Sequence, residues 1–188
     1  MINLDIEGGR VEQKEITRLK SGVEKYQTIM KKYWSVDITK DWKFQRLYNG
    51  FYRVRQKSRE WYTCYYEMLE NLKIHNCSFD EILQELKTRT NRIEASFASK
   101  MHATRNLNSP IIDKWILKNL DLKLPYSYER NRFEKITQLY KKITEWYEKY
   151  ASSEEGVKYI KLFNKICPES DISNIKKIDF ILWQTRQK

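Results

Sequence analysis

The 188-residue chain has few of the residues that interrupt helices, with only five glycines and three prolines. Both residues are unfavourable inside a helix, and the turns of β-rich folds normally require them. Their scarcity argues against a β-rich fold, whereas the abundance of Lys, Glu, Leu and Ile favours helices. We therefore expect an all-α protein, and the chain is long enough to bury a core without disulfides.

Cysteine is also scarce, with Cys64, Cys77 and Cys167 as the three examples and no pair at CxxC spacing. An odd number of cysteines without such spacing indicates free thiols in a reducing compartment. The first ten residues contain no apolar signal-sequence core, and no apolar run is long enough to cross a bilayer. These features predict a cytoplasmic protein without a membrane partner.

The motifs of several enzyme classes are missing. The sequence contains no Gly-rich phosphate loop, no GxSxG and no HExxH, so a P-loop enzyme, a serine hydrolase and a zinc protease are not expected. His75 and Cys77 are two residues apart, but no second ligand pair follows at the spacing of a metal site. We expect neither a metal nor another cofactor.

Positive charge and aromatic residues are abundant. The formal net charge is +11, and aromatic residues make up 14% of the chain, with 13 tyrosines and six tryptophans. A strongly basic chain favours an anionic partner, nucleic acid first, and aromatic rings can stack on bases. Because positive charge also serves solubility, composition alone does not identify the partner.

Apolar residues recur at spacings of three and four, which predicts seven or eight helices in a globular bundle. The predicted spans are 10–34, 41–72, 78–87, 92–105, 110–120, 127–151, 153–166 and 173–186, after a loose end or short strand at 1–9. We expect a single domain over residues 1–188. If the bundle forms two lobes with a cleft, the predicted lobes are 1–77 with 127–188, and 78–126.

Residues 78–122 have a distinctive order of elements: helix, short turn, helix, Pro-containing loop, Asp113 and a further helix. The loop and final helix read "SPIIDKWILKNLDL". This order resembles the helix-hairpin-helix DNA glycosylase superfamily, over about a quarter of the chain. In that family a hairpin of two helices grips the phosphate backbone, and a loop leads to an aspartate that assists glycosidic bond cleavage. The resemblance implies a helix-hairpin-helix-like element near residues 78–105 and Asp113 as the catalytic acid.

The predicted hairpin turn "KTRTNRI" departs from the family pattern because it contains no glycine. Glycines let backbone N–H groups approach a phosphate closely. Side chains would have to supply the contacts here, and the candidates for duplex binding are Arg89, Thr90, Asn91 and Arg92, with Lys100 and Arg105 further along.

The position of the family's Schiff-base lysine falls near Ile93 or Glu94, so no lysine matches. The resemblance therefore implies a monofunctional, water-using DNA N-glycosylase, a hydrolase of DNA repair. Asp113 would stabilise the positive charge of the sugar as an extruded base departs. The alternative is structural: Asp113 caps a helix that begins at Lys114, or lies in its first turn behind a Ser109 cap.

A second basic segment, "FQRLYNGFYRVRQKSREWYTCYY" at residues 44–66, alternates arginines with aromatic residues. If the predicted helix 41–72 does not break at Gly50 or Ser58, Arg55 and Arg59 lie one turn apart near Tyr48, Tyr52 and Tyr62, and Arg53 precedes them. Such a surface suits phosphate binding and base stacking. The alternative is an ordinary solvated helix face.

Together these features predict a monomeric DNA-binding protein that resembles helix-hairpin-helix glycosylases and acts on an altered base in duplex DNA. The alternative is a non-catalytic helical module that binds nucleic acid or a protein. The two differ in whether Asp113 is needed for activity. Steep salt dependence would separate nucleic-acid binding from protein binding.

Overall fold

The computed structural model describes residues 13–184, and this range contains nine α-helices and no strand. The all-α prediction is thus confirmed, whereas the segment predicted at residues 1–9 lies outside the described range. The helices are α1 (Gln13–Ser35), α2 (Trp42–Tyr52), α3 (Arg59–Asn71), α4 (Phe79–Thr90), α5 (Ala95–Arg105), α6 (Lys114–Asn119), α7 (Arg132–Ser152), α8 (Glu154–Ile166) and α9 (Asn174–Gln184).

The predicted long helix 41–72 is wrong, because the chain breaks it into α2 and α3. Arg53 ends α2 in the left-handed region at φ 55°, and Gln56 also has a positive φ of 59°. Ser58 then begins α3, its Oγ accepting a hydrogen bond from the Trp61 N–H at 3.2 Å. The apolar periodicity hid this break because Val54, in the middle of the connection, is buried like a helix-face residue.

Other helix boundaries also differ from the prediction. Helix α4 continues to Thr90 and ends at Asn91, which adopts a left-handed conformation (φ 54°), so the hairpin turn lies at 91–94 rather than 88–91. Pro110 does not begin a helix: residues 110–113 have no helical structure, and α6 begins at Lys114. Helix α7 begins at Arg132 instead of residue 127.

The chain divides into two compact units. The central unit comprises residues 25–106, and the terminal unit comprises the described residues 13–24 and 107–184. These boundaries differ from the predicted lobes, because α4 and α5 belong with α3 while α6 packs on α9. The hairpin and Asp113 therefore belong to different units.

Tyrosine forms much of the core of the central unit. Its fully buried large side chains include Tyr33, Tyr48, Tyr52, Tyr65 and Tyr66. A buried hydroxyl needs a hydrogen-bond partner, and the Tyr48 hydroxyl lies 3.2 Å from those of both Tyr65 and Thr104. The hydroxyl of Tyr66 donates to Asn49 Oδ1 at 2.7 Å. Burial raises the pKa of Tyr48 and Tyr65, so these rings stay neutral packing elements.

In the terminal unit, helices α7, α8 and α9 pack against one another. The apolar core of these helices includes Ile136, Leu139, Ile143, Phe163, Ile178 and Leu182. Gly22 of α1 allows Phe180 of α9 to approach, since a Cβ at Gly22 would lie 3.2 Å from the Phe180 ring. This packing provides the frame for the segment that carries Asp113.

Candidate functional sites

The hairpin of α4 and α5 begins with a capping box. The Ser78 Oγ accepts from the Glu81 N–H at 3.3 Å, and the Glu81 carboxylate accepts from the Ser78 N–H at 2.7 Å. At the other end of α4, Thr90 Oγ1 donates to the Leu86 carbonyl at 2.6 Å, so this hydroxyl bonds its own helix. The side chains of Asn91 and Arg92 are exposed and form no hydrogen bond or ion pair within residues 13–184.

Arg89, also predicted at this turn, is engaged by carboxylates. Its guanidinium lies 2.8 Å from Glu85 Oε1 and 3.4 Å from Glu67 Oε2. Exposed ion pairs of this kind contribute little to stability, but the two carboxylates offset the positive charge of Arg89. Arg92 is thus the arginine of the hairpin turn with an unbalanced charge.

The basic segment after α2 does not form the predicted helix face. Arg53 and Arg55 lie in the α2–α3 connection and Arg59 is the first residue of α3, so Arg55 and Arg59 are not on one helix. All three side chains are exposed. Tyr48 and Tyr52, predicted to share their surface, are core residues with at most 1% of their surface exposed.

A largely buried ion pair joins this connection to the hairpin turn. Lys57 Nζ lies 2.6 Å from Glu94 Oε1, and the two side chains are only 15% and 12% exposed. The Lys57 ammonium also lies above the rings of Trp61 and Phe97, at 5.0 and 4.8 Å from their centroids. Those two rings pack edge to face at 5.0 Å.

Because Arg55 and Arg92 are each two residues from this ion pair, the two arginine-bearing turns lie side by side. We call Arg53, Arg55, Arg59 and Arg92 the arginine surface. Within the described part of the chain, none of the four forms an ion pair. The sequence named the arginines of both segments but placed Arg53, Arg55 and Arg59 on a helix, and the juxtaposition of the two turns depends on a contact between residues 37 positions apart.

Two of the residues predicted to contact DNA, Lys100 and Arg105, make contacts within the protein. The side chain of Lys100 is buried, at 6% exposure, with its ammonium 5.1 Å from the centroid of the Phe97 ring. Arg105 Nε donates to the Leu72 carbonyl at 2.7 Å, and its guanidinium lies over the Trp34 ring. We therefore leave both residues out of the arginine surface.

Asp113 is the N-cap of α6. Its Oδ1 accepts hydrogen bonds from the Trp115 and Ile116 N–H groups, both at 2.8 Å. It follows the buried segment 109–112 and is half-buried itself. Of the two structural roles predicted for Asp113, the structure shows the first: Asp113, and not Ser109, caps the helix that begins at Lys114.

The second oxygen of Asp113, Oδ2, accepts no hydrogen bond from any described residue. The capping bonds fix the orientation of the carboxylate and leave one oxygen available. Such a group can orient a water molecule or stabilise a nearby positive charge.

A buried polar cluster lies close to Asp113 and was not predicted from the sequence. Lys176 and Asp179 of α9 are each 3% exposed and form an ion pair of 2.7 Å, while the Tyr147 hydroxyl donates to Asp179 Oδ1 at 2.5 Å. Burial raises the pKa of the Asp179 carboxyl and the Lys176 ammonium opposes the rise, while the negative charge of Asp113 adds to it. Tyr140 of α7 donates to the Pro110 carbonyl at 3.0 Å.

This cluster ties α7, α9 and the segment before α6 together. A signal was present in the sequence: the span "NIKKIDFILW" has apolar residues on every face of its helix, which is typical of a buried helix. Of its three charged residues, Lys176 and Asp179 are three positions apart and both buried, whereas Lys177 is half-buried.

The described cysteines are free thiols, with Cys64 and Cys77 half-buried and Cys167 buried. Burial raises the pKa of all three thiols. A thiol with a raised pKa is a poor nucleophile.

Among residues 13–184 no group of three His, Cys, Asp or Glu side chains could hold a metal ion, and no helix there is long and apolar enough to cross a membrane.

No protein-family model, curated protein or solved structure matches this chain. The resemblance of residues 78–122 to helix-hairpin-helix glycosylases therefore stays a prediction.

Proposed function

We propose that the protein binds nucleic acid, duplex DNA first, through the arginine surface of the central unit. The observation that carries the proposal is the Lys57–Glu94 ion pair, which holds two basic turns side by side. It leaves the exposed Arg53, Arg55 and Arg92 without acidic partners among the described residues.

Charge and geometry both support this function. The exposed arginines of the two turns have no carboxylate partners among the described residues, so their positive charge is available to a polyanion. Phosphates bind guanidinium groups with directional hydrogen bonds, and the release of condensed counterions drives the association. The net charge of +11 on the whole chain adds long-range attraction.

The proposal is tested by duplex binding of Arg55→Gln and Arg92→Gln at moderate salt. Each variant should weaken binding several-fold, because each removes one phosphate contact, and should do so equally on unrelated sequences. Arg18→Gln is the matched control: Arg18 is an exposed arginine of α1 outside the arginine surface. If Arg18→Gln weakens binding as much as Arg55→Gln, net charge is responsible and the arginine surface is not the site.

A second candidate function is hydrolysis of the N-glycosidic bond of an altered base, with Asp113 as the acid. The observation that favours it is the fixed Asp113 carboxylate with its unbonded Oδ2. A half-buried carboxylate can stabilise an oxocarbenium-like sugar or activate the attacking water, and this requires no cofactor.

Asp113→Asn separates this chemistry from capping. Asparagine is as good an N-cap as aspartate, so the variant should fold and bind DNA like the parent. It should lose base excision from duplexes that carry altered bases, measured as alkali-sensitive strand cleavage. Equal turnover by Asp113→Asn and the parent would remove Asp113 from any catalytic role.

A further inference from the structure

The connection between α6 and α7 exposes two tyrosine rings. Tyr126 is 63% exposed and Tyr128 is 81% exposed. Their rings are parallel within 4°, with centroids 5.4 Å apart, which is an offset stack. Exposed aromatic pairs of this kind leave a flat apolar face in contact with water, which is unfavourable unless a partner covers it.

The turn that carries these rings is held by Glu129. One carboxylate oxygen of Glu129 accepts the Tyr126 N–H at 2.6 Å, and the other pairs with Lys135 Nζ at 2.6 Å. The Glu129 N–H donates in turn to the Tyr126 carbonyl at 3.2 Å, and Arg132 Nε donates to the Pro125 carbonyl at 3.2 Å. The backbone beneath both rings is therefore fixed before any ligand arrives, which lowers the entropy cost of binding.

The charges around the rings favour a polyanion. Lys123 and Arg130 flank the two tyrosines, are exposed, and form no ion pair with the rest of the described chain. Ser127, between the two tyrosines in the sequence, is also exposed. A protein-binding hot spot is normally surrounded by packed neighbours that exclude water. Here the surroundings are polar and cationic, as in surfaces that bind single-stranded nucleic acid by stacking.

We propose that Tyr126 and Tyr128 form a stacking platform for an unpaired nucleobase, with Lys123 and Arg130 contacting the adjoining phosphates. The proposal shares its class of ligand with the proposed function, but it rests on different residues, in the terminal unit. The platform would let the protein distinguish a strand with unpaired bases from a sugar-phosphate strand without bases, which the arginine surface alone does not do.

The test compares two labelled single strands of roughly twelve nucleotides, a length within the usual range of single-strand sites. One carries bases, and the other carries abasic-site analogues throughout, so both have the same phosphate charge. The parent should prefer the strand with bases. Tyr128→Ala should lose about five- to a hundredfold in affinity for that strand, the range typical of one base–aromatic stack.

Tyr128→Phe is the matched control, because it keeps the ring and removes only the hydroxyl, and it should bind like the parent. Neither substitution changes the charge, so the salt slope should stay that of the parent. Both residues are exposed, and circular dichroism should confirm that the variants fold. Equal binding of the two strands by the parent, or an unchanged preference in Tyr128→Ala, would overturn the platform.

These outcomes are separable from those of the arginine surface. Duplex binding that depends on Arg55, without any preference for bases in single strands, would overturn only the platform. Base-dependent single-strand binding that is unaffected by Arg55→Gln and Arg92→Gln, without duplex binding, would overturn only the arginine surface. Absence of binding to every strand at low salt would overturn both.

Discussion

At the scale of single residues, the most costly feature is the charge buried in α9. Removing Lys176 and Asp179 from water is unfavourable by several kcal/mol for each ion before their mutual attraction is counted. Their 2.7 Å ion pair and the Tyr147 hydroxyl compensate. The sequence alone did not predict this cluster, because the residues around Asp179 do not show that its carboxylate contacts the hydroxyl of Tyr147, 32 positions away.

The buried pair gives a prediction about stability. Lys176→Met should lower the free energy of unfolding by about 3–5 kcal/mol, because Asp179 is then left buried without a cation. The double variant Lys176→Met with Asp179→Leu should recover most of that loss, since both charges are gone. Urea unfolding of the parent and both variants measures the difference. A single variant that loses less than about 1 kcal/mol would show that the cluster is hydrated.

At the scale of elements, the corner between α7 and α8 depends on a glycine. Ser153 ends α7 and begins α8, with its Oγ accepting the Gly156 N–H at 3.0 Å. A Cβ at Gly156 would lie 1.8 Å from the Tyr150 carbonyl oxygen, which is backbone and cannot move alone. The sequence "YASSEEG" shows the capping serine but not this close approach.

Gly156→Ala should therefore destabilise the protein by at least about 2 kcal/mol, because the corner must open to admit the methyl group. Gly50→Ala is the control: nothing lies within 4 Å of its Cβ position in α2. That change should be neutral or stabilise by about 0.5–1 kcal/mol, because alanine favours helix. Gly156→Ala should lower the melting temperature and Gly50→Ala should leave it unchanged or raise it, and a stabilised Gly156→Ala protein would contradict this account of the corner.

The turn before α7 should respond to pH through Glu129. Bonds from Lys135 and the Tyr126 N–H lower the pKa of the Glu129 carboxyl below its usual 4.5. A lowered pKa in the folded state stabilises the protein above the unfolded value, and this contribution is lost as the pH falls through the folded value. The melting temperature of the parent should exceed that of Glu129→Gln at neutral pH, and the gap should close in acid. A gap that is independent of pH would contradict this assignment.

The sequence predicted most helices but misplaced their ends for identifiable reasons. The break between α2 and α3 contains neither Gly nor Pro, and its two left-handed residues are Arg53 and Gln56. Tertiary packing of the buried Val54 compensates for these unfavourable conformations. Conversely, the Ser78–Glu81 capping box began α4 as predicted, because its hydrogen bonds are local.

At the scale of the whole molecule, the sequence predicted the all-α class and the positive charge. It named the arginines of the arginine surface and the acid of α6, but not the turn between α2 and α3. It could not show which cations are already neutralised: Arg89 has two acidic partners and Lys100 is buried. Nor could it assign the hairpin and Asp113 to different compact units, since that division depends on long-range packing.

The measurement that tests the central claim most directly is the salt dependence of duplex binding by the parent and by a triple variant. The variant changes Arg53, Arg55 and Arg92 to Gln and keeps the Lys57–Glu94 ion pair. The slope of log affinity against log salt should be shallower in the variant by about 2.7, roughly 0.9 for each phosphate that the variant no longer neutralises. Equal slopes would contradict the claim that these arginines bind phosphate.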